Sequence, residues 1–295
     1  MCLIAMLLVV GMMGVPRQGL AAPEGSVEVR DGWFRTSDGV RLHYLVGGYG
    51  PTIIFVPGWT MPAQIWQPQL RHFVSSSRVV ALDPRSQGRS DRPNDGNFVE
   101  RRAMDIQELL VHLGDKTAVL VGWSLGVHEV LQLVEQSGTE RLAGIVLVDD
   151  FIWTTPESGR AAYFESSLER LLRDRPAFTV EFVRGMYRRP QEAEYLHGIV
   201  EASLLTPTPT AYTLLAGAYV LGRRDWRPAL RRIDRPLLYV ASTATTADAE
   251  EVLKVVPGAE VETFADAGHA LFVDDAVRFN RVLESFLRKI RASPR

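Results

Sequence analysis

Residues Gly122-Trp123-Ser124-Leu125-Gly126 fit the pattern G-x-S-x-G, and they lie between an apolar run, "TAVLVGWS", and a helical pattern, "LGVHEVLQLVEQSG". A sharp strand-to-helix turn at such a place forces the serine into a strained conformation. Glycines are needed on either side, because side chains there would collide across the turn. The hydroxyl then projects at the start of a helix, where free backbone N–H groups can stabilise developing negative charge. A serine hydroxyl is a poor nucleophile and needs a base. Of the six histidines, His43, His72, His112, His128 and His197 fall in strand or helix patterns and read as surface or packing residues. His269 differs, because "DAGHALF" is a loop directly after the last strand-like run. In open α/β sheets, ligands bind at the carboxyl ends of the strands, and Ser124 emerges on that same edge. An oxyanion on an attacked carbonyl needs two donors. The N–H of Leu125 supplies one, and the N–H of Trp59, in the "PGWT" loop after the run "TIIFV", is the natural second.

The elements that must position these groups follow from periodicity. "VEVRDGWFRT" and "VRLHYLVGG" flank "SDG", a hairpin signal. Short apolar runs ("TIIFV", "RVVAL", "TAVLVGW", "LAGIVLV", "PLLYVAS") then alternate with helical stretches such as "VERRAMDIQELLVHLG", which ends at Gly114. A helix over "AQIWQPQLRHFV" is expected to be interrupted by Pro68. Alternation at this spacing means a parallel sheet covered on both faces. After Asp150 the alternation stops, and to about Arg232 only helical stretches follow, broken by Pro176, Pro190 and "TPTPT" at 206–210. The reading is an α/β core over 23–155 and 233–295, with a helical cap at 156–232.

Composition bounds the rest. With 295 residues, 46% apolar and 23% charged, the chain has enough length for one large core plus an insertion. A net charge of −2 gives no electrostatic case for nucleic acid, and nothing in the composition sets an oligomeric state. No His/Cys/Asp cluster has metal-ligand spacing and no glycine-rich loop suits a phosphate, so neither metal nor cofactor is expected. The first fifteen residues are uncharged and apolar, and small residues follow in "PRQGLAAPEG". The run is shorter than the ~20 residues that span a bilayer and reads as a signal peptide over 1–22. A secreted or periplasmic protein without stable membrane insertion is therefore expected. Cleavage near Ala22 would also remove Cys2, the only cysteine.

Taken in order, "VPGW", "DPRSQGRSDRP", "GWSLG" and "AGHALFVDDAVRFN" resemble the α/β-hydrolase fold superfamily over nearly the whole mature chain, most of all its cap-bearing esterase and haloperoxidase-like branch. The resemblance implies an eight-stranded, mostly parallel sheet, a helical cap inserted after the sixth strand, and a Ser-Asp/Glu-His triad. One element departs from the pattern. In most members the acid follows the strand after the cap, but here that turn reads Ser242-Thr243-Ala244-Thr245-Thr246. The first carboxylate is Asp248, which reads as a cap of the next helix. Other members, such as haloalkane dehalogenases and pancreatic-type lipases, carry the acid after the strand that follows the nucleophile helix. Here that strand ends in "LVDD", two carboxylates at the close of an apolar run, where burial demands a partner.

The resemblance thus makes Ser124 the nucleophile, His269 the base and Asp149 the acid, with Asp150 and Asp248 as alternatives. Leu125 and Trp59 supply the oxyanion donors. The expected reaction is cofactor-free hydrolysis of a carboxylic ester or lactone of a small apolar substrate. Serine in place of aspartate at the nucleophile position argues against a dehalogenase or epoxide hydrolase. Perhydrolysis, C–C or amide cleavage, and a binding protein that has lost catalysis are the alternatives.

Overall fold

Strands β1 (Arg30–Arg35) and β2 (Arg41–Gly47) pair antiparallel, and β2 pairs antiparallel with β4 (Arg78–Leu82). Strands β3 (Thr52–Val56), β5 (Ala118–Trp123), β6 (Leu142–Val148), β7 (Leu237–Ser242) and β8 (Glu260–Phe264) complete a parallel array with β4. The order across the sheet is β1-β2-β4-β3-β5-β6-β7-β8, so the eight-stranded, mostly parallel architecture is present. This is a computed structural model, and it describes residues 28–153, 159–221 and 225–292. The apolar N-terminal run and its expected cleavage point lie outside these residues.

The central strands are apolar at nearly every position because both their faces are covered. Along β3 and β5, Ile54, Val56 and Leu120 enter one core, which also holds Ile106, Leu109 and Val130. Their neighbours Ile53, Phe55, Val119 and Val121 enter a second core with Leu70, Phe73 and Phe286. The first core is closed by α2 (Val99–Leu113) and α3 (Leu125–Ser137), and the second by α1 (Gln67–Phe73) and the final helix (Ala276–Ala292). Gly114 ends α2 in the left-handed conformation, as the end of the helical pattern anticipates.

Between β6 and β7 the described residues hold α4 (Arg160–Arg173), α5 (Arg175–Gly185), α6 (Ala193–Leu204), α7 (Thr208–Ala216), a π-helical turn at Gly217–Leu221 and α8 (Arg227–Arg231), and no strand. Helix α9 (Thr246–Val255) then links β7 to β8, and a short α10 (Leu271–Asp274) precedes the final helix, α11. Prolines that the sequence presents as helix breakers stand at the breaks and start the helices that follow. Pro68, Pro176 and Pro209 sit in the first turns of α1, α5 and α7, where the missing N–H has no intrahelical partner to lose. The inserted helices rest on the carboxyl edge of the sheet. Trp59 Nε1 donates to Ala211 O at 2.8 Å, Arg92 Nε donates to Leu205 O at 2.7 Å, and Ala270 N–H donates to Met186 O at 2.9 Å.

Candidate active site

Strand β5 ends at Trp123, and Ser124 turns the chain into α3 with φ 54° and ψ −129°. That region is sparsely populated by residues with a side chain and persists only where the surroundings enforce it. Here they do. A Cβ on Gly122 would stand 2.5 Å from the carbonyl oxygen of Gly126, and one on Gly58 would stand 2.8 Å from Ser124 Cβ. The pattern G-x-S-x-G is thus a packing requirement of the turn, and Gly58 lets the β3 loop approach the serine. Leu125 opens α3, so its N–H is among the donors that a helix leaves unpaired. The Trp59 N–H carries no hydrogen bond among the described residues.

The parallel ladder continues one residue past the strands. Ser124 N–H donates to Val148 O at 3.0 Å, and Asp149 N–H donates to Val240 O at 2.8 Å. This register sets the Asp149 turn between those of Ser124 and Ser242. Asp149 has φ 48° and is 1% exposed. Its Oδ2 lies 2.8 Å from His269 Nδ1, while its Oδ1 accepts from Ser242 N–H and from Thr245 Oγ1, each at 2.6 Å. Burial alone would raise the Asp149 carboxyl. The hydrogen bond and charge of His269, with the Thr245 and Ser242 donors, outweigh it and hold the group below the usual 3.8. Burial works against the charged form of His269, yet the Asp149 bond and charge, with a further contribution from Asp150, raise it above the usual 6.5. Trp123 Nε1 donates to His269 O at 2.9 Å and pins the loop.

The other carboxylates are committed elsewhere. Asp150 Oδ2 accepts from Tyr219 Oη at 2.7 Å and lies 3.4 Å from His128 Nε2. Asp248 does not cap α9. It is fully buried, pairs with Arg160 Nη2 at 2.6 Å and accepts the Ile152 N–H at 2.8 Å. The two tryptophans nearest Ser124 in the turn and the β3 loop differ in what they touch. Both are buried, but Trp59 lines the cavity that holds Ser124, whereas Trp123 packs against the His269 ring at a centroid distance of 5.1 Å.

Ser124, Asp149 and His269 all line one cavity of about 670 Å³ between the sheet edge and the inserted helices. His269 and Asp149 are joined there by a hydrogen bond. Among the described residues no hydrogen bond joins Ser124 Oγ to His269, and Tyr219, whose phenol donates to Asp150, lines the same cavity. Catalytic hydrogen bonds commonly tighten only when substrate is bound. Burial, then the Asp150 carboxylate, push the Tyr219 phenol well above its usual 10, so it stays protonated. Sequence reasoning passed over Thr245 and Tyr219 as site residues. The only signal for Thr245 was the run of hydroxyl residues where an acid was expected. Tyr219 lay in a helical segment without any chemical motif.

The chain matches the profile of the alpha/beta hydrolase family over residues 53–282. It is 27% identical to a non-heme haloperoxidase of Rhodococcus erythropolis, covering 85% of this chain and 97% of that protein. It is 25% identical to a pimeloyl-[acyl-carrier protein] methyl ester esterase of Vibrio vulnificus, covering 84% and 98%. An esterase from Exiguobacterium antarcticum superposes with a TM-score of 0.80 at 19% identity, covering 87% of this chain and 98% of that one.

Proposed function

Because the chain belongs to the alpha/beta hydrolase family, we propose that it is a serine hydrolase acting on a carboxylic ester or lactone of a small, uncharged, largely apolar substrate. The observation that carries this reading is the 2.8 Å bond between His269 Nδ1 and Asp149, facing a cavity shared with Ser124 on its strained turn. Ser124 Oγ attacks the acyl carbon while His269 Nε2 takes its proton, and Asp149 holds the ring in the required tautomer and stabilises the imidazolium. The Leu125 and Trp59 N–H groups stabilise the tetrahedral oxyanion. Collapse expels the alcohol, protonated by His269, and water attacks the acyl-serine by the same route in reverse.

The lining supports an apolar substrate. Trp59, Phe151, Phe164, Phe178, Phe182 and Tyr219 surround the space above the serine. A fluorophosphonate probe, which labels only an activated serine, and a p-nitrophenyl ester series graded by acyl length test the proposal together. Ser124→Ala should abolish labelling and lower kcat by several orders of magnitude with the fold intact. Retention of more than about a tenth of the activity would refute the serine mechanism.

The haloperoxidase likeness favours one second reading. Hydrogen peroxide in place of water would take the acyl group from Ser124 and leave as a peracid. Bromination of a dye that depends on peroxide, a carboxylic acid and Ser124 distinguishes it.

A further inference from the structure

The motif "DPRSQGRSDRP" lies outside the machinery described so far, yet one of its residues reaches into it. Gln87, in the loop after β4, is fully buried. Its Nε2 donates to Gly58 O at 3.0 Å and to Met61 O at 2.8 Å. Its Oε1 accepts from Thr60 N–H at 3.1 Å and from Arg102 Nη2 at 2.8 Å. A carboxamide has two N–H donors and two lone pairs, so this side chain is fully used. Two carbonyls on one side and two donors on the other also fix which way the amide faces.

Three of those four bonds go to the backbone of residues 58–61, on both sides of Trp59. The loop does not hold this shape by preference, because Thr60, a β-branched residue, has φ 57°. Behind Gln87, the buried Arg102 of α2 lies with its Nε 2.8 Å from Glu129 Oε1 on α3, the helix that Leu125 opens. The contact is close but off the hydrogen-bonding axis, and burial pushes the Glu129 carboxyl up to about 7 against the attraction of Arg102. Gln87 therefore links the segment carrying one candidate oxyanion donor to the helix carrying the other.

We propose that Gln87 is a positioning residue for the oxyanion site, fixing the direction of the Trp59 N–H through the backbone of Gly58, Thr60 and Met61. The proposal rests on the serine-hydrolase reading, in which Trp59 N–H meets the oxyanion. Such a role acts on the transition state and not on ground-state binding. Gln87→Met keeps the length and removes all four bonds. It should lower kcat by about 10- to 100-fold, less than the loss of an oxyanion donor itself, with KM changed by less than about threefold. The affinity for a trifluoromethyl ketone, which forms a tetrahedral adduct on the serine, should fall by the same factor as kcat/KM. Affinity for the matching non-electrophilic ketone should not move. Gln87→Glu, nearly isosteric, loses only the two donor bonds and should fall in the same direction on both measurements.

A Gln87→Met protein with kcat within threefold of the parent overturns the proposal. So does a kcat loss without the matched loss of trifluoromethyl ketone affinity, and so does failure of both variants to fold, which would assign Gln87 to stability alone. Failure of the underlying reading looks different. The parent enzyme itself would then bind the trifluoromethyl ketone no better than Ser124→Ala does, and the role of Gln87 would fall with it.

Discussion

The turns after β6 and β7 are neighbours at the sheet edge and opposite in chemistry. The first carries two carboxylates, Asp149 and Asp150, and the second, Ser242–Thr246, carries hydroxyls and none. They form one unit, because the second turn supplies the Ser242 N–H and the Thr245 hydroxyl that receive Asp149 Oδ1. A buried carboxylate stays ionised only where donors replace its lost hydration. The comparison teaches that an acid at one strand end requires donors at the next. It also shows that adjacent acids need not share a task, since Asp150 turns to Tyr219.

The largest effect is expected where the comparison is broken outright. Asp149→Asn keeps the shape but presents an N–H to the wrong ring tautomer. The equivalent exchange in a serine-protease triad lowers kcat by about 10⁴, and a loss of 10³ or more is expected here. The pH profile gives a second readout. His269 must be neutral to act as the base, so the acid limb of kcat/KM in the parent should lie above 6.5, where Asp149 holds it. In Asp149→Asn the opposing influence of burial is left, and the limb of the residual activity should move downward. A limb at the parent position would show that Asp149 is not the group that His269 senses.

Next in size is an attempt to transpose the turns. Thr245 Oγ1 already stands 2.6 Å from the Asp149 carboxylate. Asp149→Asn combined with Thr245→Asp should recover about tenfold or more in kcat over Asp149→Asn alone, through coupling of residues in contact. No recovery would mean that only the β6 turn can present an acid to His269. Smaller again is Thr245→Val, which removes one hydrogen bond to a charged acceptor, on the order of 1.5–3 kcal/mol. A several-fold fall in kcat is expected with the imidazole limb little changed, measured on the same ester. A fall as large as that of Asp149→Asn would make Thr245 part of the proton relay itself.

The smallest effect on turnover belongs to Asp248→Asn. It weakens a buried pair with Arg160 at the base of the inserted helices and should cost about 2 kcal/mol of stability by denaturant melt. Its kcat should stay within about twofold. A thousandfold loss in folded protein would return the acid to the β7 side.

How much of this was legible in the sequence varies with the distance over which each feature is decided. The strand-to-helix turn at Ser124 could be read because its requirements are local, with Gly122 and Gly126 within two residues. Pro68, Pro176 and Pro209 marked real breaks in the helical pattern, and only the fold adds that each stands at the start of the helix that follows. Asp248 read as a helix cap because its partner, Arg160, lies 88 positions away. Gln87 lay inside a motif and Thr245 in a run of hydroxyl residues, but neither showed what it holds, since a side chain that bonds to another segment leaves no periodic trace in its own.

The sequence by itself determined the alternation of buried strands and covering helices, the placing of Ser124 and His269 at strand ends, and the want of an acid after β7. Those follow from local periodicity, turn chemistry and residue type. It could not decide which of Asp149, Asp150 and Asp248 faces His269. Asp149 lies 120 positions from that histidine, and the choice turns on a few ångströms set by the register of β5, β6 and β7. One residue of difference in a turn reverses the direction of a side chain, as Asp149 at φ 48° and its neighbour show. Only the packed sheet fixes that direction, because the energy that holds Asp149 in a strained conformation comes from Ser242, Thr245 and His269, none of them near it in the chain.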